Sequence, residues 1–185
     1  MKTKDITLIS VMAALVCVAG PLSLGEPVPI SLCSFAVYLA GAILGWKKGA
    51  LAVLVYLLIG AIGVPVYAGF SAGFSKIAGV TGGYLVGYIP CALLTGLAVK
   101  DGQMKPEKPW LLPMMMVAGT AALYLIGTAW FMAQTGNGLA ASLTMCVLPF
   151  LPGDAVKIVA ATLLAWPVRK AVYREESMKL NGEDS

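Results

Sequence analysis

The chain has 185 residues, 59% of them hydrophobic and only 12% charged, with a formal net charge of +4 and a mean hydropathy of +0.85. A soluble domain carries about twice that charged fraction, and here the apolar residues run the whole length, so the composition describes an all-α integral membrane protein. The absence of histidine excludes imidazole metal sites and His-dependent acid–base catalysis, and the absence of any Gly-Lys dipeptide excludes a G-x-x-x-x-G-K phosphate loop.

Apolar stretches that reach across a bilayer, about 17 to 25 residues with tilt and flanks, predict six transmembrane helices. In chain order these are 5–20, 31–46, 48–63, 82–99, 111–133 and 153–173. The first apolar run, Ile6 to Ala19, has the character of a signal-peptide core. No small-residue cleavage site followed by a soluble domain comes after it, so it reads as a retained helix. Residues 1–174 are expected to form a single six-helix membrane domain, and 175–185 a polar cytoplasmic tail. The four cysteines, Cys17, Cys33, Cys91 and Cys146, stand apart with no C-x-x-C spacing. That argues against zinc or redox work and for small packing residues.

Charge parity supports the count of six. Eleven of the thirteen basic residues fall at the N-terminus (Lys2, Lys4), the 2–3 connection (Lys47, Lys48), the 4–5 connection (Lys100, Lys105, Lys108) and the C-terminal end (Arg169, Lys170, Arg174, Lys179). The connections of the other side hold only Lys76, and Lys157 lies within helix 6. Lysine and arginine accumulate in cytoplasmic loops, so both termini are expected in the cytoplasm of a multi-pass protein of a bacterial plasma membrane. An odd number of helices spoils the alternation.

The three outward connections, GPLSLGEPVPISL, GVPVYAGFSAGFSKIAGVTGG and PFLPGD after QTGNG, are rich in proline and glycine yet remain apolar. Non-helical backbone at membrane depth is tolerated only where protein buries it or it lines a cavity. Their convergence with Asp154 predicts a pocket open to the outside. Asp154 and Lys157 are three apart and share a helix face. They have two readings: an N-cap after a Pro152-Gly153 break with a lysine snorkelling to the interface, or a self-neutralising pair that receives a polar, uncharged ligand group. Glu26 is either a solvated loop charge or a lid residue.

YLLIGAIGVPVYAGFSAGFSKIAGVTGGYLVGY (56–88) and FLPGDAVK (150–157) resemble the signature segments of the BioY family, the biotin-specific substrate-binding subunits of energy-coupling factor (ECF) transporters. The resemblance covers about residues 5–170, and PV-aromatic-AG, TGGY and LPGD-x-x-K in this order are specific. It implies an S-component-like bundle that closes over one biotin, no catalytic residue, no metal and no cofactor. It also implies partners: a transmembrane coupling subunit and two cytoplasmic ATPases. Biotin's ureido N–H groups would be accepted by Asp154 and its carbonyl would receive Lys157. Tyr84, Tyr67, Phe70 and Phe74 would wall the apolar body, or else pack or form an interfacial belt. Gly82 and Gly83 would either serve close helix packing or allow close backbone approach to the ligand, and Thr81 would cap its helix and donate to the carboxylate. The chain departs from the family pattern with Val80 before TGG, Tyr67 in the aromatic position, and Cys33 where a glutamine is common.

Docking on a coupling subunit in this class uses small residues on helix 1. Here the candidates are Ser10 with Ala14 and Ala13 with Cys17, each four apart, and intramolecular packing explains them equally well. Three other functions compete with biotin capture: an S subunit for another vitamin, a membrane enzyme, and a self-sufficient facilitator or channel. Acid–base groups are sparse on the outer half, and a channel requires a polar stripe that helices 2, 3 and 5 almost lack.

Overall fold

The computed structural model of the protein describes residues 3–24, 30–99 and 110–173. Glu26, the basic connection containing Lys100, Lys105 and Lys108, and Lys2, Arg174, Lys179 and the tail 175–185 lie outside the described residues. Six helices of twelve or more residues are present among those described: α1 (Thr3–Ala19), α2 (Cys33–Leu44), α3 (Trp46–Ala61), α5 (Gly82–Leu97), α6 (Leu111–Thr135) and α8 (Leu151–Val172). Each matches an expected helix to within two residues at either end. α6 and α8 are long and apolar enough to cross a bilayer unaided, whereas α2 and α5 are shorter apolar helices. The twelve residues of α2 extend only about 18 Å at 1.5 Å per residue, less than the roughly 30 Å hydrocarbon core.

The connections hold more regular structure than proline and glycine suggested. Ser23–Leu24 (β1) and Ile30–Ser31 (β2) form a small antiparallel ladder. A 3-10 turn at Ala68–Phe70 and the five-residue α4 (Phe74–Ala78) occupy the α3–α5 connection. α7 (Leu139–Cys146) follows α6. Its LAASLTMC run contains neither proline nor glycine, which gather at its ends in Gly138 and Pro149, so nothing interrupts the helix. The expected break at Pro152-Gly153 is also corrected. Pro152 lies in the first turn of α8, where its missing N–H costs no hydrogen bond.

α2 is the hub. Eleven of its twelve residues are buried, and it packs against α1, α3, α5 and α8. α5 in turn packs on α6 and α3. In α8 the buried residues Asp154, Ile158, Ala161, Ala165 and Arg169 recur every three or four positions and form one inward stripe. The opposite face of α8 exposes Val156, Val159 and Leu163. α1 does the same with Ile6, Val11 and Val18. A bundle that is apolar on its outside as well as its inside matches lipid, not water, as its solvent.

One end of the bundle is basic. Lys48 pairs with Asp5 at 2.7 Å, tying the start of α3 to the start of α1. Arg169, 2% exposed, donates to the Ala42 and Ile43 carbonyls at the end of α2. Arg169 also lies 5.0 Å from the Tyr173 ring centroid, and Lys4 stands 5.4 Å from the same ring. The small ladder, α4, α7 and the N-termini of α5 and α8 gather at the opposite end, where the cavity opens.

Candidate functional site

At that end the helices leave about 670 Å³ of empty space, its open mouth included. Its polar floor is built by α2, α6 and α8. Asp154, 6% exposed, accepts from Ser34 Oγ at 3.3 Å and Lys157 Nζ at 3.0 Å on Oδ1, and from Tyr124 O–H at 2.5 Å on Oδ2. Lys157 Nζ also donates to the Ser31 carbonyl at 2.7 Å and to Ser34 Oγ at 3.1 Å. All three ammonium protons therefore have acceptors, and the pair is neutral as a unit.

These contacts remove the cap-and-snorkel reading of the charges. Asp154 is not an N-cap: Phe150 holds that position without a side-chain bond, and the Asp154 N–H already bonds the Phe150 carbonyl at 2.8 Å. Lys157 does not snorkel, because its stem turns inward to the β2 backbone. An ion pair placed so deeply requires saturated hydrogen bonding, and Ser34 and Tyr124 supply part of it.

Tyrosines form the walls. Tyr67 is fully buried and donates to the Leu57 carbonyl at 2.6 Å. Its ring meets Tyr56 edge-on at 5.6 Å between centroids. Burial pushes the Tyr67 hydroxyl up to about 12, so it remains a neutral donor at ordinary pH. The ring fits only because residue 60 is glycine: a Cβ there would collide with it. Gly127 makes room for Tyr84 in the same way. The Tyr84 hydroxyl lies 3.2 Å from Thr128 Oγ1 and 3.4 Å from the Cys146 carbonyl. Tyr56, Tyr88, Leu85, Leu123 and Phe150 complete the aromatic and aliphatic lining.

Of the residues expected at the site, Asp154, Lys157, Tyr84, Tyr67 and Thr81 line this cavity. Thr81 occupies the N-cap position of α5 but makes no side-chain cap bond. Phe70 and Phe74 do not line it; they are 68% and 70% exposed on the loop above. That loop is held by the Tyr67–Ser71 bridge and by Gly69 N–H donating to Ser23 Oγ at 2.9 Å. Gly82 and Gly83 pack instead: an added Cβ would strike the Ile77 carbonyl at one and Trp130 at the other. On α1, Ser10 and Ala14 face outward, Ala13 is buried and Cys17 is half-buried.

Several lining residues had no expected role there: Ser34, Tyr124, Tyr88, Lys76, and the buried cysteines Cys33 and Cys146. A signal for some of them existed. Thr120, Tyr124 and Thr128 stand four apart on α6, and each hydroxyl has an inward partner in Tyr38, Asp154 and Tyr84. The expectation of almost no polar stripe on this helix is therefore corrected; the hydroxyls are paired side by side. Lys76, half-buried on α4, has no ion-pair partner among the described residues. With two lysines against one aspartate in the lining, one positive charge is left uncompensated.

Residues 1–174 match the family model described as BioY family. The probable biotin transporter BioY of Pyrococcus horikoshii is 38% identical, over 89% of this chain and 96% of that one. The biotin transporter BioY of Rhodobacter capsulatus is 36% identical, over 97% of this chain and 99% of that one. Among solved structures, the crystal structure of the S-component for biotin from an ECF-type ABC transporter superposes with a TM-score of 0.81. It is 26% identical, over 92% of this chain and 95% of that one. With its cavity walled by tyrosines over a neutral Asp154–Lys157 floor, the chain belongs to the BioY family.

Proposed function

We propose that this chain is the biotin-binding membrane subunit of an ECF-type uptake system, and that the cavity is its biotin site. The observation that carries the reading is the neutral Asp154–Lys157–Ser34–Tyr124 cluster at the floor of an aromatic cavity. Biotin's ureido ring is polar but uncharged, and such a floor receives it without importing charge. An Asp154 oxygen accepts a ureido N–H, and Lys157 exchanges one present acceptor for the ureido carbonyl. The thiophane ring lies against Tyr56, Tyr67, Tyr84 and Tyr88. The valerate carboxylate points toward Lys76, which has no ion-pair partner among the described residues, and Thr81.

The same reading makes the molecule a six-span protein of the bacterial cytoplasmic membrane, a single domain with both termini and the Arg169 end in the cytoplasm. It performs no covalent chemistry. A transmembrane coupling subunit and two cytoplasmic ATPases supply the energy. Ser10 and Ala14, the outward small pair on α1, are the docking residues of choice over Ala13 and Cys17.

The test is equilibrium biotin binding to the purified chain alone in detergent, beside Asp154→Asn and Lys157→Met, with thiamine and riboflavin as controls. Breaking a buried hydrogen-bonded charge pair costs about 2–5 kcal/mol, so Kd is expected to rise at least thirtyfold, roughly. No biotin binding by a folded wild-type chain, or binding equally tight in both variants, sinks the assignment.

A further inference from the structure

Asp154 offers about four acceptor positions, and three are taken: Ser34 and Lys157 on Oδ1, Tyr124 on Oδ2. The Tyr124 bond, at 2.5 Å, lies at the short end for a hydroxyl on a carboxylate. Tyr124 projects from α6, one turn from Thr120 and one from Thr128. Both of those hydroxyls serve tyrosines of other helices. Its hydroxyl does more than satisfy a buried anion, because Asp154 and Tyr124 both line the cavity. With Oδ2 half-occupied, the carboxylate can take one N–H from a ligand. With Oδ1 filled by Ser34 and Lys157, that one remaining Oδ2 position cannot hold a fork of two donors.

We propose that Tyr124 is a specificity-determining residue: it limits Asp154 to a single ligand N–H and thereby selects a urea over a guanidinium. The inference rests on the biotin reading above. A urea brings one N–H to Asp154 and a carbonyl to Lys157. A guanidinium presents a fork of two N–H donors and brings a positive charge to a site already holding Lys157 and Lys76. Tyr124 occupies the Oδ2 position that the fork's second N–H would need and draws on the anion that would offset the added charge.

The experiment compares biotin with 2-iminobiotin, protonated on its guanidino group at neutral pH, on wild type and Tyr124→Phe. The phenylalanine keeps the ring and its packing and removes only the donor. The ratio of the iminobiotin Kd to the biotin Kd is expected to fall at least about tenfold, the scale of one hydrogen bond to a charged group. A packing role alone weakens both ligands alike and leaves the ratio unmoved, which overturns the proposal while the biotin reading stands. If Tyr124→Phe yields no folded protein, 3-fluorotyrosine at position 124, a more acidic donor, is expected to raise the ratio; a ratio unchanged or lowered again overturns it. If wild type binds neither compound, the biotin reading fails and this inference falls with it.

Discussion

Helix α8 buries charge at both ends, and the two ends behave differently. Near its C-terminus Arg169 reaches the last carbonyls of α2 and stacks by Tyr173, at 2% exposure and away from the tyrosine-lined cavity. Near its N-terminus Asp154 and Lys157 also have their hydrogen bonds met, yet they border open space lined by tyrosines. Arg169 closes a helix end that would otherwise leave carbonyls without donors. The Asp154–Lys157 pair is satisfied by side chains and one β2 carbonyl that a ligand can replace. Burial alone does not separate a structural charge from a functional one; the adjoining cavity and exchangeable partners do.

The contrast can be broken most sharply at the pocket end. Asp154→Asn and Lys157→Met head the order with the thirtyfold or greater loss stated above, and melting in the absence of biotin should fall as well, because each leaves a buried group without its partner. Gly60→Ala comes next. Its methyl would displace the Tyr67 ring, and overpacking of this kind costs about 1–3 kcal/mol. Biotin Kd in that variant should rise by roughly tenfold to a hundredfold, and wild-type affinity would show that Tyr67 does not wall the site. Lys76→Gln should weaken biotin by about tenfold, the scale of one charge-assisted contact, but leave biotin methyl ester nearly unaffected. Equal losses for acid and ester would remove Lys76 from carboxylate recognition. Arg169→Met sharpens the comparison from the other end: it should lower the melting temperature, with biotin Kd unchanged to within about twofold. The buried arginine then counts as structure, and a Kd change as large as that of Asp154→Asn would erase the distinction between the two ends.

The helices were legible in the sequence because lipid demands long apolar segments with their backbone bonds made internally. The six long helices among the described residues follow from hydropathy. The Asp154–Lys157 pair was equally visible as two charges in an apolar run. Which way each helix turns was less legible. In water the exposed face of a helix is polar and marks itself, but here the lipid-facing side of α1 or α8 is as apolar as the packed side. Ser10 and Ala13 were therefore equivalent on paper, and only packing made one exposed and the other buried. Phe70 and Phe74 misled for a related reason. Aromatic residues beside glycines suit a wall or a lid surface alike, and a positive φ at Gly69, Phe70 and Gly73 turned both rings outward.

The sequence by itself determined the solvent, the number and limits of the long helices, the basic end, and the presence of one charged pair at the other. Those properties depend on local composition and on a repeat of about 3.6 residues. Only the tertiary structure decided what surrounds the pair: Ser34, 120 positions from Asp154, Tyr124, 30 positions away, and Lys76 on a helix of five residues. Periodicity orients residues within a helix but says nothing of which neighbour each will meet. That is set by how α2, α6 and α8 pack together, where glycines such as Gly60 and Gly127 leave room for tyrosine rings.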